Sequence, residues 1–260
     1  MQTISPAPGW IARTGSRIDL IRINDLSRDT IAGVPVWVKR RTWLSRLLVP
    51  VANGFFWLAG NPVEVFATNA EWQRNETRTF LLLNGENRRV GALRTDSVYA
   101  EALPGTDLVG LLRDNDLTPE VMQSVGKAFR QMHRTLNPAT GELFSHGDPH
   151  LGNVLYDDLS QSVNWVDFET IHCGNLDVRE RHADDLLVLL LDLVGRASEE
   201  QWQSLSPAFL QAYQEPGVLA ELKNRLRLPS GLGAIWWAVR TSYLGREELR
   251  RRIHWLRECL

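Results

Sequence analysis

Ser145-His146-Gly147-Asp148-Pro149-His150-Leu151-Gly152-Asn153-Val154-Leu155, followed downstream by Val163-Asn164-Trp165-Val166-Asp167-Phe168-Glu169, is the stretch on which the fold turns. Asn153-Val154-Leu155-Tyr156 and Val163–Val166 are apolar and β-branched enough to pair as a hairpin, with Asp157–Gln161 as the polar turn. Pairing brings Asn153, at the start of one strand, beside Asp167, at the end of the other. An amide oxygen and a carboxylate then converge. Both are hard oxygen ligands of the kind magnesium accepts when phosphates complete its shell. Asp148, five residues before Asn153, faces the same point without binding the metal. Positioning, charge neutralisation and a carboxylate to accept a hydroxyl proton are the minimum set for phosphoryl transfer. His146 and His150 so near a carboxylate would also suit a metal hydrolase, but the ordered set with a hairpin inside it favours the first chemistry.

The residues before this stretch read mostly as strands. Ser16–Ile23 and Val34–Arg41 carry β-branched residues and partial alternation, and Asn24–Gly33 between them is rich in turn formers, which predicts a hairpin. A third strand is expected at Gly9–Arg13. Asn69–Leu83 reads as a helix with Asn69 as its cap, Glu71 in its first turn and Asn84-Gly85 as its stop. Strands are expected around Val90–Arg94 and Ser97–Ala102. From Thr118 the period changes. Thr118-Pro119-Glu120 is a helix start, and Val121, Val125, Phe129, Met132 and Leu136 recur at helical spacing. Glu180–Arg196 is a very apolar, buried helix, and helices fill Glu199–Tyr213, Pro216–Leu226 and Gly231 to the end.

The order and spacing of HGDPHLGNVL and VDFE resemble the catalytic and metal-binding loops of the protein-kinase-like superfamily. They are especially similar to members acting on non-protein substrates: aminoglycoside and choline kinases and the bacterial lipopolysaccharide-core (Kdo/heptose) kinases. The Asp-to-Asn spacing equals that of H-R-D-x-x-x-x-N. The resemblance implies an α+β, two-lobed fold. A small antiparallel β-rich N-lobe with one helix would span residues 1–102, and a mainly helical C-lobe 103–260. It implies ATP and Mg2+ as cofactors, Asp148 as catalytic base, Asn153 and Asp167 as metal ligands, His146 as loop organiser, and His150 near the transferred phosphate. Lys39, in Val36-Trp37-Val38-Lys39, resembles the strand lysine of V-A-I-K that meets the phosphates; a solvated basic strand end is the other reading. Glu76 looks like its helix partner, since Phe80 and Leu83 follow it on one face, with Glu71 as competitor. Glu101 and Ala102 would lie at the hinge that binds adenine. Asp185, or its neighbour Asp184, resembles the residue that braces the catalytic loop. The chain departs from the family in having no G-x-G-x-x-G motif near Gly9 and Gly15, DFE in place of DFG, and no A-P-E motif.

Composition agrees with a soluble globular protein: 260 residues, 43% hydrophobic, 23% charged, net charge -2. That excludes a disordered or fibrous chain and argues against a nucleic-acid partner. Two cysteines, Cys173 and Cys259, fit a reducing, cytoplasmic setting. The N-terminus lacks the pattern of a secretory signal. Leu47–Val63 is apolar but short and interrupted by Pro50, Asn53, Gly54, Asn61 and Pro62, so it is not expected to span a membrane. Arg40–Phe56 and Trp236–Leu260 mix arginine with tryptophan. That suits peripheral contact with an anionic membrane, on the inner face of a bacterial inner membrane, and a glycolipid or small-molecule acceptor. A core helix with a solvated basic face is the alternative. Two other functional readings stay open: a compact atypical Ser/Thr protein kinase, RIO-like, and a non-catalytic nucleotide-binding pseudokinase.

Overall fold

The computed structural model describes residues 24–138 and 140–260. β1 (Asn24–Ile31) and β2 (Val34–Arg41) form an antiparallel hairpin closed by Ala32 and Gly33, both at positive φ. α1 (Ser45–Leu58), β3 (Val63–Val65) and α2 (Asn69–Asn84) follow, then β4 (Val90–Arg94) and β5 (Ser97–Glu101). The first sheet has the order β1-β2-β5-β4, so β2 is interior and its Lys39 faces the centre of the molecule. The chain then passes through β6 (Thr106–Asp107) and α3 (Leu108–Asp114) into α4 (Pro119–Arg134), β7 (Leu136–Asn137) and β8 (Glu142–Leu143). A 3-10 turn at Leu151–Asn153 leads to β9 (Val154–Asp157), β10 (Ser162–Trp165) and β11 (Thr170–His172). The remainder is α5 (Val178–Arg196), α6 (Glu199–Tyr213), α7 (Pro216–Arg225), α8 (Gly231–Arg240) and α9 (Arg246–Glu258). This antiparallel-sheet N-terminal region with a mainly helical C-terminal part is the α+β arrangement that the resemblance implies.

The core of the helical part forms around α5. Every residue from His182 to Val194 is buried, as expected of a helix apolar nearly all round. Its start is secured by a capping box between Asp177 and Glu180. α4 lays Val121, Val125, Phe129 and Met132 into the same core, where Phe129 meets Trp165 and Phe209 edge to face. The segment after β2 does not stay with the first sheet. β3 pairs antiparallel with β11, Val65 opposite Thr170, and Asn53 on α1 bonds both the N–H and the C=O of Val65.

Several expectations need correction. Asn24–Gly33 is not a turn: residues 24–31 are β1, paired in register from Asn24↔Arg41 to Ile31↔Val34. Among the described residues β1 is at the edge of its sheet, where a strand is held by its backbone bonds and can carry Ser, Arg and Asp outward. The strands expected at Gly9–Arg13 and Ser16–Ile23, with Gly9 and Gly15, lie outside the described residues. A second helix, α1, joins α2 before residue 102, because Pro50 removes only one backbone bond and Asn53 faces β3 rather than breaking the helix. The cap of α2 is Thr68, which accepts the Glu71 N–H. Leu136 leaves the helical register and is exposed in β7. The C-terminal helix is broken after Arg240, with Ser242 and Tyr243 at positive φ.

The end of α8 is fixed by contact with α5. A Cβ at Gly195 would lie 2.5 Å from the Thr241 Cα, closer than packed atoms come. Gly195→Ala should therefore cost about 1–3 kcal/mol, read as a lower urea midpoint at unchanged slope. An unchanged midpoint would mean that α8 is free to move off α5.

Candidate active site

Residues 145–153 are held from below by α5. Asp185, fully buried, takes the backbone N–H of His146 at 2.7 Å and of Gly147 at 2.8 Å, one on each carboxylate oxygen. His133 Nε2 supplies a third bond at 3.0 Å and is itself oriented by the Tyr213 hydroxyl. Burial alone would raise the Asp185 carboxyl. His133, His172 and His146 around it outweigh that and hold it far below the usual carboxylate range. Asp184 faces away, toward His172 and Arg225, so of the two aspartates it is Asp185 that touches the loop. Gly147 sits at φ +84, and a Cβ there would meet Thr170 Oγ1 at 2.9 Å, so this turn needs glycine.

His146 is buried, and burial holds its imidazole below the ordinary value. In the neutral ring Nε2–H donates to the Val166 carbonyl at 3.2 Å and Nδ1 accepts the Asp148 N–H at 3.4 Å. One ring thus ties the loop carrying Asp148 to the segment entering Asp167. His150 turns to its own chain: Nδ1 accepts the Gly152 N–H at 3.0 Å, capping the 3-10 turn. β9 and β10 pair with Val154 opposite Trp165, and the Val166 N–H bonds the Asn153 carbonyl at 3.1 Å. Asn153 and Asp167 therefore flank the open end of one hairpin. The Asn153 side-chain NH2 donates to the Asp148 carbonyl at 2.9 Å, which leaves its amide oxygen as the group to offer a cation. Asp167 adopts φ +70, a left-handed backbone that costs a non-glycine residue of order 1 kcal/mol and is common at functional sites.

Lys39 reaches the same place from β2. Its Nζ bonds Asp167 Oδ1, lies 3.3 Å from Glu169 Oε2 and 3.8 Å from Glu76 Oε2. Burial would lower this ammonium; the three carboxylates outweigh it and push it up. Glu76 is raised from its ordinary value by burial, opposed by Lys39, and accepts the Phe168 N–H at 3.0 Å. Glu71 instead bonds Thr68 at the helix start, so Glu76 is the partner. Glu169, also raised by burial and by Asp167, is bonded by Asn24. Arg41 stacks over Trp72 at 4.8 Å behind the cluster. Even with Arg41 included, this pocket holds more carboxylates than cations. α2 grips the metal-side segment by two further contacts, Asn75 to the Phe168 carbonyl at 2.7 Å and Asn84 to both backbone groups of Trp165.

Lys39, Glu76 and Asp167 open into a cleft of about 230 Å³, walled by Leu26, Trp37, Phe80, Val98, Ala100, Leu155 and Val166. Glu101 and Ala102 line it where β5 leaves the sheet, but their N–H groups are already donated, to the Arg89 and Pro35 carbonyls at 2.7 and 2.9 Å. The Glu101 carboxylate is held by Arg88 at 2.8 Å. An adenine in this cleft would not find its bonds at those two N–H groups.

Two residues were missed in the sequence. Glu169 adds a third carboxylate at Lys39; its signal was the acidic residue where DFG has glycine. Arg240, at the end of α8, donates from Nη1 to Asp148 Oδ1 at 2.5 Å and stacks on Trp236 at 4.4 Å. Burial would raise the Asp148 carboxyl, and Arg240, His150 and His146 together bring it below its usual value. Nothing local to the sequence around residue 148 points to a partner so far along the chain.

The donor set fits a hard divalent cation. Among the described residues no group of three or more His, Cys, Asp or Glu forms a metal cage. A cation here would rest on the Asn153 amide and the Asp167 carboxylate, with phosphate and water oxygens completing its shell, as magnesium does. The surplus of buried carboxylates around Lys39 favours such an ion.

No family model and no curated protein matches the chain. Among solved structures, it is similar to a Mycobacterium tuberculosis protein in complex with erythromycin, at 14% identity and TM-score 0.43. That match covers 74% of this chain and 52% of the other, so the chain spans about half the length of that relative. It is also similar to a Plasmodium vivax ethanolamine kinase, at 10% identity and TM-score 0.47, over 96% of this chain and 84% of the other.

The Asp185 contacts set a pH signature. A carboxyl whose folded pKa is depressed binds its proton more readily in the unfolded chain. Its contribution is present above the ordinary carboxylate pKa and is lost as pH falls toward the folded value. In Asp185→Asn, one loop N–H faces an amide NH2 instead of an oxygen. The variant should lose about 2–3 kcal/mol at neutral pH and show a flatter acid limb in urea titrations from neutral to acid pH. Parallel acid limbs in variant and wild type would contradict this assignment.

Proposed function

We propose that this chain is an ATP- and magnesium-dependent phosphotransferase that moves the γ-phosphate to a hydroxyl of a non-protein acceptor. The observation that carries this reading is the convergence, at one end of the β9–β10 hairpin, of a buried lysine, a carboxylate–amide pair and a separate loop carboxylate. The nucleotide lies between an N-lobe of residues 1–102 and a C-lobe of 103–260. Lys39, oriented by Glu76, meets the phosphates. Asn153 and Asp167 hold the magnesium, which when bound neutralises the charge on the transferring phosphoryl group. Asp148 takes the acceptor's proton. His146 keeps the two loops in register, His150 stands beside the transferred group, and Glu101 and Ala102 shape the adenine end without their N–H groups.

Asp148 has two oxygens, and Arg240 occupies one. The other is left to orient the acceptor hydroxyl. A base held below its usual pKa is no obstacle in a loose transition state, where charge stabilisation and alignment do most of the work. β11 and the α5 cap follow Asp167 within ten residues, so no long segment of the kind that docks a peptide lies between them. That supports a compact acceptor over a protein. The finer reading is a sugar of a lipopolysaccharide-type or other lipid-linked glycan, met at the cytoplasmic face of a bacterial inner membrane. The segments 40–56 and 236–260, which mix arginine with aromatic residues, support it.

Asp148→Asn should reduce transfer of labelled γ-phosphate to sugars, amino alcohols and lipid-linked glycans by roughly 10²–10⁴-fold while leaving ATP affinity unchanged. Loss of ATP binding with the fold intact would contradict the role of Asp148. Label incorporated into the chain itself or into added peptide, in preference to every small acceptor, would favour the compact atypical Ser/Thr protein kinase. Transfer to no acceptor despite ATP binding would favour the nucleotide-binding pseudokinase.

A further inference from the structure

α1 is amphipathic the wrong way round for a solvated helix. Of its fourteen residues only Ser45 and Val49 are buried. Its inward side is anchored by Asn53 to β3 and by Phe56, whose ring meets Trp236 of α8 at 4.9 Å. Its outward stripe is Leu47, Val51 and Leu58, at i, i+4 and i+11, with Trp57 alongside and Trp43 just before the helix. All five are exposed, the two tryptophans by 76% and 79%. α8 repeats the pattern. Gly233 and Trp237 face in, while Leu232, Ile235 and Val239 face out, and Tyr243 follows at 60% exposure. The two helices touch, and a Cβ at Gly233 would come within 3.2 Å of the Ala59 carbonyl that ends α1. Together with Trp43 and Tyr243 beside them, they carry most of the exposed large apolar side chains among the described residues, and an exposed apolar patch of this kind marks a contact surface.

The charges choose the occupant. Residues 42–63 and 228–246 contain three charged side chains, Arg46, Arg240 and Arg246, all cationic. Arg46 and Arg246 are exposed. No carboxylate lies within these two segments, and Glu64 and Glu247 stand just outside them. Exposed Trp and Tyr rings beside arginine suit the headgroup level of a bilayer, where an aromatic body is apolar and its N–H or O–H stays wet. Among the described residues no helix is long and apolar enough to cross a membrane, so the contact is with the surface.

We propose that the outward face of α1 and α8 is a docking surface for an anionic lipid bilayer. The surface lies next to the candidate active site, because α8 ends in Arg240, which bonds Asp148. A bilayer seated on this layer therefore presents lipid-borne hydroxyls near the base. That second consequence rests on the phosphotransferase reading; the docking itself does not.

The test uses the full chain and vesicles of phosphatidylcholine, alone or with an equal part of phosphatidylglycerol, followed by co-sedimentation without nucleotide. Wild type should bind the anionic vesicles and bind neutral ones at least roughly tenfold more weakly, as expected for two arginines near an anionic surface. High salt should weaken the anionic binding. Leu47→Glu and Ile235→Glu alter exposed side chains and should keep the wild-type melting temperature. Each should reduce vesicle affinity by roughly tenfold or more. Three results would overturn the proposal: no wild-type binding, equal binding by wild type and both variants, or a wild-type dimer in light scattering that the variants dissociate. Nucleotide binding, measured separately, shows whether the catalytic reading stands whatever the vesicles do.

Discussion

A buried ammonium among three carboxylates is the contact on which the two halves of this chain depend. Lys39 is almost out of water, and a charge in that position costs several kcal/mol unless partners surround it. The three partners come from two places: Glu76 from α2, and Asp167 and Glu169 from the segment after β10. Satisfying one side chain therefore brings together the interior strand of the sheet, the helix beside it and the hairpin of the helical part. The same arrangement is unfinished electrostatically, because the carboxylates exceed the cations and burial pushes Glu76 and Glu169 toward their protonated forms. A divalent cation with its phosphates would relieve that surplus: Asp167 would turn to the metal and Lys39 to the phosphates.

Around this contact the rest of the structure acts to remove freedom. Asp185 fixes the backbone of the loop before Asp148, and His146 ties that loop to Val166. Asn75, Glu76 and Asn84, all on α2, hold the backbone of Trp165 and Phe168. α2 is thus bonded to the hairpin as well as to the sheet. Alignment of this kind is most of what phosphoryl transfer asks of a protein. Arg240 extends the network to α8, whose own position is set where Thr241 packs on Gly195.

The legible parts of the fold are those whose signals are local. The β9–β10 hairpin was readable from apolar alternation around a polar turn, and α5 from an apolar run too long for a strand. The Lys39–Glu76 pair was readable because Phe80 and Leu83 follow Glu76 on one helix face, with Glu71 as its competitor. What misled is equally physical. β1 carries turn-forming residues because an edge strand needs no apolar face. α1 hid behind Pro50 and Asn53, whose effects depend on what lies beside them. Leu136 kept helical spacing but lost its helix where the chain turned into β7. The break after Arg240 follows from the approach of α5, which no nearby residue announces. Arg240 and Glu169 were missed for related reasons: one acts across ninety residues of chain, and the other matters only because Lys39 arrives beside it.

If Lys39 and its carboxylates form a nucleotide–magnesium site, thermal unfolding reports it. Wild type and Asp167→Ala would be melted with ATP, with magnesium and with both. A ligand that binds only the folded state stabilises it by ~2.7 kcal/mol at a hundredfold excess over its dissociation constant. The wild type should show a shift that needs ATP and magnesium together and is lost in Asp167→Ala. A shift of equal size in the variant, or none in wild type under any condition, would contradict such a site.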